Sequence, residues 1–161
     1  MRLRLLDLAK DHTGSSLVEF TLVMPVLLFL ALGAAQFGLL FYNYISVANA
    51  AAYGARIFAI GHGDATIYSD AESAINGAAS NLSGLTITLS VNGSACTTNS
   101  QCQTDLLNAR QANIANTTGT TPLQGASVTV SYACTANLIP AYLINLASIC
   151  PLKSTMWQAV E

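Results

Sequence analysis

The chain divides into one long apolar segment and a more polar remainder. Residues 20–55 carry no charged side chain, which makes 36 consecutive positions. The part from Phe20 to about Tyr42 is rich in Leu, Val and Phe, and Ser46–Ala55 is built of small residues that still favour a helix. As one helix the run would extend about 54 Å, well beyond the roughly 30 Å of a hydrocarbon core. The pattern predicts a helix that spans a membrane and continues past it.

Beyond Arg56 the periodicity of the sequence changes. Apolar and hydroxyl side chains alternate in Leu85–Val91 and again in Ser127–Tyr132, as expected for half-buried strands. A third strand is predicted near Leu152–Val160, and a short helix is predicted after an N-cap at Ser69-Asp70. The expected fold class is α+β: a long N-terminal transmembrane helix followed by a small exported domain with a short antiparallel sheet and helices.

Two further segments of the exported part differ in polarity. Asn92–Gln124 is rich in Asn, Thr, Gln and Ser, which predicts an exposed insertion with a candidate helix through residues 104–116. Leu138–Ile149 is apolar, but its 12 residues are too few to cross a bilayer as a helix. We therefore expect a packed or interfacial element there, bounded by Pro140 and Pro151.

Composition and charge agree with a membrane location. Hydrophobic residues make up 52% of the chain and charged residues 9%, against about 25% charged residues in a typical soluble domain. Basic residues precede the apolar run and acidic residues follow it, namely Arg2, Arg4 and Lys10 before it and Asp64, Asp70 and Glu72 after it. The positive-inside rule then places the N-terminus in the cytoplasm and the remainder of the chain outside.

All four cysteines fall in the part predicted to be exported, where an oxidising compartment permits disulfides: Cys96, Cys102, Cys134 and Cys150. Four cysteines allow three pairings. We favour Cys96 with Cys102 and Cys134 with Cys150, because short loops close most readily. A zinc site is disfavoured, since neither spacing is C-x-x-C and the two histidines are distant in sequence.

The sequence contains no pattern that points to catalysis or to a cofactor. It has no G-x-S-x-G, no H-E-x-x-H and no glycine-rich phosphate loop. His62 lies between two glycines, where a solvent-exposed turn residue is expected rather than a general base. After Gly14 the chain has three basic and six acidic residues, which does not favour nucleic-acid binding. We expect a structural protein without metal or cofactor.

Three features of the apolar segment deserve a physical account. Glu19 stands at its predicted cytoplasmic start. A carboxylate costs about 2.5–3.5 kcal/mol at a bilayer centre and much less near the interface, so Glu19 is either a functional charge or a simple interfacial residue.

Ala34 and Gly38 have the small-xxx-small spacing that lets helices approach closely, although small residues are also common in membrane helices. Pro25 removes one amide donor and predicts a kink or a locally melted turn.

The segment GSSLVEF, Gly14 to Phe20, lies behind a short basic leader and before an unbroken apolar run. It resembles a class III, type IV pilin-like signal. The resemblance implies that a prepilin peptidase cuts between Gly14 and Ser15 on the cytoplasmic side. Glu19 would then be the fifth mature residue, the position where pilins carry a glutamate thought to neutralise the terminal amine of a neighbouring subunit.

The longer stretch GSSLVEFTLVMPVLLFLALGAAQFGLLFYNYISVANAAAYGAR resembles the N-terminal motif of the TadE family, minor pilins or pseudopilins of the tight-adherence (Flp) pilus. The matching features are VEF at Val18–Phe20, Pro25, the Gln36–Gly38 segment and AAYGAR at Ala51–Arg56. The resemblance implies a role in pilus assembly, initiation or adherence at the bacterial inner membrane. The implied partners are the prepilin peptidase, the major Flp pilin, other minor pilins, the assembly platform and the bilayer.

The sequence leaves three alternatives open. The N-terminal segment would be a secretory signal peptide if the chain were cut before Gln36, but the product would begin with a strongly apolar stretch. An uncut Gly14 would leave a permanent membrane-anchored component of the secretion apparatus. An exported adhesin would use the polar insertion to contact a surface. The favoured organisation is a leader at 1–14, a transmembrane and assembly helix at 15–60, and a head at 61–161 with an insertion at 92–124.

Overall fold

A computed structural model describes residues 13–116, 119, 121–134 and 150–161. In chain order its elements are α1 (Thr13–Ile60), α2 (Ile67–Ala78), β1 (Leu85–Val91), β2 (Ser94–Cys96), α3 (Asn99–Ala115), β3 (Gly125–Tyr132) and β4 (Leu152–Ala159). This confirms the α+β class with a long N-terminal apolar helix. The basic leader and the apolar stretch Leu138–Ile149 lie outside the described residues.

The chain forms two compact units, Met1–Leu39 and Leu40–Glu161. Their boundary falls inside α1, whereas the sequence predicted the head to begin at residue 61. The physical reason is burial within the second unit, where small and apolar residues of α1 are almost fully covered: Val47, Ala50, Ala51, Ala55, Phe58 and Ala59. The last third of α1 is therefore part of the core of the head.

The head contains one four-stranded sheet in the order β2-β1-β3-β4, and all three pairings are antiparallel. The register pairs Leu89 with Val128 and Val128 with Met156. Alternate residues of β3 are buried, including Val128, Val130 and Tyr132, and they share one face of the sheet with buried residues of β1. The alternation that predicted β1 and β3 thus distinguishes a core face from an outer face.

The hairpin between β1 and β2 is absent from the sequence-based prediction. Asn92 and Gly93 both have positive φ, 52° and 83°, and they separate the paired residues Val91 and Ser94. A two-residue Asn-Gly turn is a strong hairpin signal, because its twist matches that of the flanking strands. The prediction of an exposed insertion beginning at Asn92 overlooked this signal.

The rest of the predicted insertion is also part of the head. The helix α3 is longer than expected and buries one face through Cys102, Leu106 and Ala109, each with no exposed surface. Spacings of four and three residues place these side chains on one side of a helix. The polar composition of 92–124 reflects the opposite, exposed side of α3, so the interpretation of the whole segment as an exposed insertion was wrong.

The start of α2 also differs from the prediction. The helix begins at Ile67 rather than after Ser69-Asp70, and Thr66, its N-cap residue, makes no capping bond through its side chain. Instead the Asn99 side-chain oxygen accepts hydrogen bonds from the backbone N–H groups of Tyr68 (2.8 Å) and Ser69 (3.1 Å). A residue of α3 therefore satisfies two of the free amides at the start of α2.

The disulfides join Cys96 to Cys102 and Cys134 to Cys150, with Cα–Cα distances of 5.2 and 6.0 Å. These are the pairings that the sequence favoured. The first fixes β2 to the first turn of α3, and the second joins the residues just beyond β3 and just before β4. No free cysteine occurs among the described residues.

Candidate functional site

The apolar part of α1 is the candidate functional segment. Ser16–Ile60 has a mean hydropathy of 2.2 over its most apolar window, and none of that window is buried. From Leu17 to Leu32 its side chains are exposed on every side of the helix, for example Leu17 at 69% and Phe29 at 68%, whereas Gln36 further along is buried. A helix that is apolar on every side needs lipid or other helices around it. In the described part of the chain this is the one helix that is long and apolar enough to span a membrane.

The predicted processing site lies at the start of this helix. α1 begins at Thr13, so the Gly14–Ser15 peptide bond is in its first turn. First-turn amides have no partner within the helix and the turn is readily opened. A peptidase would therefore need to unwind only the end of α1 to reach this bond, and cleavage would leave a helix that begins at Ser15.

Glu19 is exposed on α1, four residues after Ser15. Among the described residues it is the only acidic side chain of the first unit. Four residues correspond to about 6 Å along the helix axis, so Glu19 would lie within about one turn of a new amine at Ser15. A carboxylate near a helix N-terminus is favourable in itself.

Ala34 and Gly38 lie one turn apart, and both are exposed. A Cβ added at Gly38 would meet no atom within 4 Å, and the same is true at Gly33. The small face of the segment is thus open in the isolated chain. Open small residues at this spacing permit a second helix to approach closely.

Pro25 lies inside α1, which continues without interruption through it. The helix therefore has no melted turn at Pro25. The other form of helix break expected there, a kink, stays a prediction. Nearby, the Thr21 hydroxyl donates a hydrogen bond to the carbonyl oxygen of Leu17 (2.7 Å). This bond occupies the polar group of Thr21 within its own helix, as hydroxyl side chains do in apolar surroundings.

The AAYGAR stretch, Ala51–Arg56, has a packing role that the sequence alone did not reveal. Ala51, Gly54 and Ala55 are buried in the head, whereas Tyr53 and Arg56 are exposed. The small residues let the helix pack closely against the rest of the head. Arg56 lines an open cavity of about 400 Å³ together with Ile60, Gln158, Ala159 and Glu161.

Exposed aromatic side chains also occur where α1 enters the second unit: Phe41, Tyr42 and Tyr44. Aromatic residues are typical of the boundary between a bilayer and water, where one end of the ring is apolar and the other is wet. Their position fits one boundary of the part of α1 that could span a membrane.

No arrangement for catalysis or metal binding is found in the described ranges. They contain no group of three or more His, Cys, Asp or Glu residues that could hold a metal ion. His62 is partly buried, and its Nδ1 has no hydrogen-bond partner among the described atoms. The predicted site residues do not converge on one pocket. The predicted processing and assembly residues follow one another along α1, and the four cysteines form the two disulfides of the head.

The architecture is that of a single-pass membrane protein with an N-terminal apolar helix and a small α+β head. The sequence model of the TadE-like protein family matches residues 14–56. No curated protein and no solved structure matches the chain. The match begins at Gly14 and ends at Arg56, so it covers nearly all of α1 and none of the sheet. This confirms the TadE-like resemblance of the N-terminal segment and supports a structural component associated with the Tad pilus.

Proposed function

We propose that the chain is a minor pilin or pseudopilin of a tight-adherence (type IVc, Flp) pilus, acting in pilus assembly or initiation and in surface adherence. The observation that carries the proposal is the family match over 14–56, which spans the Gly14–Ser15 junction, Glu19 and the apolar helix. In this proposal the protein resides in the bacterial inner membrane with its N-terminus in the cytoplasm. The head is periplasmic, or lies at the cell surface in the pilus.

The first step is processing. A prepilin peptidase cuts the Gly14–Ser15 bond and frees the amine of Ser15, while the apolar part of α1 keeps the subunit in the bilayer. The new amine is a positive charge at the positive end of the helix dipole, which is unfavourable unless it is neutralised. The Glu19 carboxylate supplies the opposite charge.

The second step is assembly with the major Flp pilin and other minor pilins on the inner-membrane platform. An ammonium and a carboxylate about 4 Å apart attract by ~4 kcal/mol at an effective dielectric of 20, before desolvation is subtracted. Pairing of Glu19 with a neighbour's amine therefore favours subunits in register. The open face at Ala34 and Gly38 would let the neighbouring helix approach closely.

Processing is tested by the intact mass and the N-terminal peptide of the protein recovered from its native membrane, with and without the prepilin peptidase. We expect a chain that begins at Ser15 only when the peptidase is present. A chain that begins at Met1 in both strains would contradict the proposal and favour an uncut component of the secretion apparatus. A start at Gln36 would indicate a secreted domain.

The assembly contact is tested with Glu19→Gln, which keeps the shape of the side chain and removes its charge. Co-extraction with the other pilus components should fall about tenfold, the equivalent of losing ~1.4 kcal/mol, while membrane insertion stays intact. Glu72→Gln is the matched control, since Glu72 is an exposed acidic residue of α2. If Glu19→Gln is co-extracted as well as the wild type and the control, Glu19 has no pairing role.

A further inference from the structure

The outer face of the sheet is lined by small hydroxyl side chains, one lysine and one tryptophan. The strand registers align three cross-strand rows on this face: Thr86, Ser131 and Lys153; Thr88, Thr129 and Thr155; and Ser90, Ser127 and Trp157. No acidic side chain lies on this face of the four described strands, and Lys153 is its only charged residue. The face is thus mostly polar and carries one positive charge.

Trp157 lies flat on this face. A Cβ added at Gly125 would stand 2.2–2.3 Å from Cε2, Nε1 and Cζ2 of the indole. Three ring atoms at nearly one distance from the same point mean that the ring covers the Gly125 backbone. Gly125 is buried as a result, yet 57% of Trp157 remains exposed. One ring face is therefore held against the sheet and the other is open to solvent.

The hydroxyl groups around the indole are also held in place. Ser90 Oγ and Ser127 Oγ are 2.9 Å apart, and Thr129 Oγ1 and Thr155 Oγ1 are 2.8 Å apart. Each pair uses one proton between two oxygens, which leaves one further hydroxyl donor and unused acceptor lone pairs in each pair. The face presents several ordered hydroxyl donors and acceptors beside a fixed aromatic plane.

We propose that this face binds a polysaccharide of pyranose rings that carry carboxylate groups. The apolar C–H face of a pyranose stacks on an open indole, its hydroxyls exchange hydrogen bonds with serine and threonine side chains, and Lys153 pairs with a carboxylate. Trp157 and Lys153 are four residues apart on β4, about 13 Å along an extended strand. That distance fits a chain of several rings better than a single sugar.

Other occupants fit the face less well. A protein partner would need an apolar centre with several large side chains, but Trp157 is the only large apolar side chain on the outer face of the described strands. A nucleic acid would need several phosphate-binding cations, and the face has Lys153 alone. The inference goes beyond the assembly role, since it concerns the head and needs neither cleavage at Gly14 nor Glu19.

The chain has a single tryptophan, so its fluorescence reports on this face directly. The full chain in lipid nanodiscs would be titrated with polygalacturonate, a carboxylated pyranose polymer, and in parallel with neutral dextran. We expect a saturable blue shift of the Trp157 emission and lower acrylamide quenching with polygalacturonate, and weaker changes with dextran. No change with either polymer at millimolar sugar would overturn the proposal.

Binding is then measured by affinity electrophoresis in polygalacturonate, which needs no fluorescence. Trp157→Ala should weaken retention about tenfold, and Lys153→Gln about two- to fivefold at low salt. Tyr53→Ala is the matched control, because Tyr53 is an equally exposed aromatic residue on α1. Retention of Trp157→Ala equal to that of the wild type, or an emission shift that depends on protein concentration alone, would overturn the proposal; the latter would indicate that a second copy covers the face.

Discussion

Gly54 of α1 lies directly against Ile75 of α2. A Cβ at Gly54 would stand 2.3 Å from Ile75 Cγ1 and 2.6 Å from its Cδ1, with Val128 Cγ1 at 3.6 Å. Ile75 and Val128 are both fully buried. Gly54, near the end of the matched segment, therefore has a structural explanation: it lets α2 and β3 pack closely against the last third of α1.

Gly54→Ala should destabilise the head. Overpacking of this contact costs about 1–3 kcal/mol, and the better helix propensity of alanine offsets about 1 kcal/mol of it. Gly77→Ala is the matched control, since Gly77 is an exposed helical glycine with nothing within 4 Å; it should stabilise by about 0.5–1 kcal/mol. Urea unfolding of the full chain in micelles, followed by near-ultraviolet circular dichroism, measures both. A Gly54→Ala chain as stable as Gly77→Ala would contradict the packing argument.

The contact from Asn99 to the first turn of α2 predicts that alanine and aspartate at position 99 have different effects on stability. Asn99→Ala removes the acceptor for the Tyr68 and Ser69 amides and should cost about 0.5–2 kcal/mol. Asn99→Asp keeps that acceptor and adds a negative charge at the N-termini of α2 and α3. It should therefore lose less stability than Asn99→Ala, or none. Hydrogen exchange of the two amides measures the effect locally. Equal protection of these amides in the Ala and Asp variants would show that the contact contributes little.

Asn113 joins α3 to the residue just before β3 and to the residue just after β4. Its Nδ2 donates to the carbonyl oxygens of Gln124 (2.8 Å) and Val160 (2.7 Å), and its Oδ1 accepts from the Gln124 amide (2.7 Å). Asn113→Ala leaves three partly buried backbone groups without this partner and should cost about 1–3 kcal/mol.

Asn113→Asp gives a sharper test, because an ionised carboxylate would face two carbonyl oxygens. At neutral pH it should be less stable than Asn113→Ala, and it should recover part of its stability in acid when the carboxylate is protonated. The control is Asn108→Ala on the exposed side of α3, which should be nearly neutral. Urea midpoints at neutral and acidic pH measure the series; an aspartate variant as stable as wild type would contradict the proposed bonding pattern.

Much of the fold could be predicted from local patterns. The two-residue alternation located β1 and β3 to within a few residues, because each strand has one core face and one outer face. The third strand, predicted near Leu152–Val160, corresponds to β4. The start of α2 could not be predicted in this way, since its amides are satisfied by Asn99 from a different element. α3 was misjudged because average polarity does not report which face of a helix is buried.

Only the parts of the candidate site that belong to a local sequence motif could be predicted. The glycine junction, Glu19 and the apolar run are readable in sequence, and the family match covers them. The role of Gly54 depends on Ile75, which is 21 residues away in a separate helix. The stacking of Trp157 on Gly125 likewise requires the register of β3 and β4. Such tertiary contacts leave no local pattern.

Asp64 predicts a pH effect at the turn before α2. Its Oδ1 accepts hydrogen bonds from the backbone amide of Thr66 (3.0 Å) and from the Thr66 hydroxyl (2.9 Å). The Thr66 amide first, and then its hydroxyl, hold the pKa of the Asp64 carboxyl below its ordinary value of 3.8. A carboxyl whose pKa is lower in the folded state stabilises that state above the unfolded pKa. The contribution is lost as the pH falls through the folded pKa.

The Asp64 titration can be followed through its carboxyl carbon by NMR on the full chain in micelles. We expect a midpoint below 3.8 in the wild type. Thr66→Val removes the hydroxyl donor and keeps the backbone amide, so the pKa of Asp64 should rise part of the way toward its ordinary value. If the Asp64 midpoint is the same in wild type and Thr66→Val, the hydroxyl does not stabilise the carboxylate and the backbone amide acts alone.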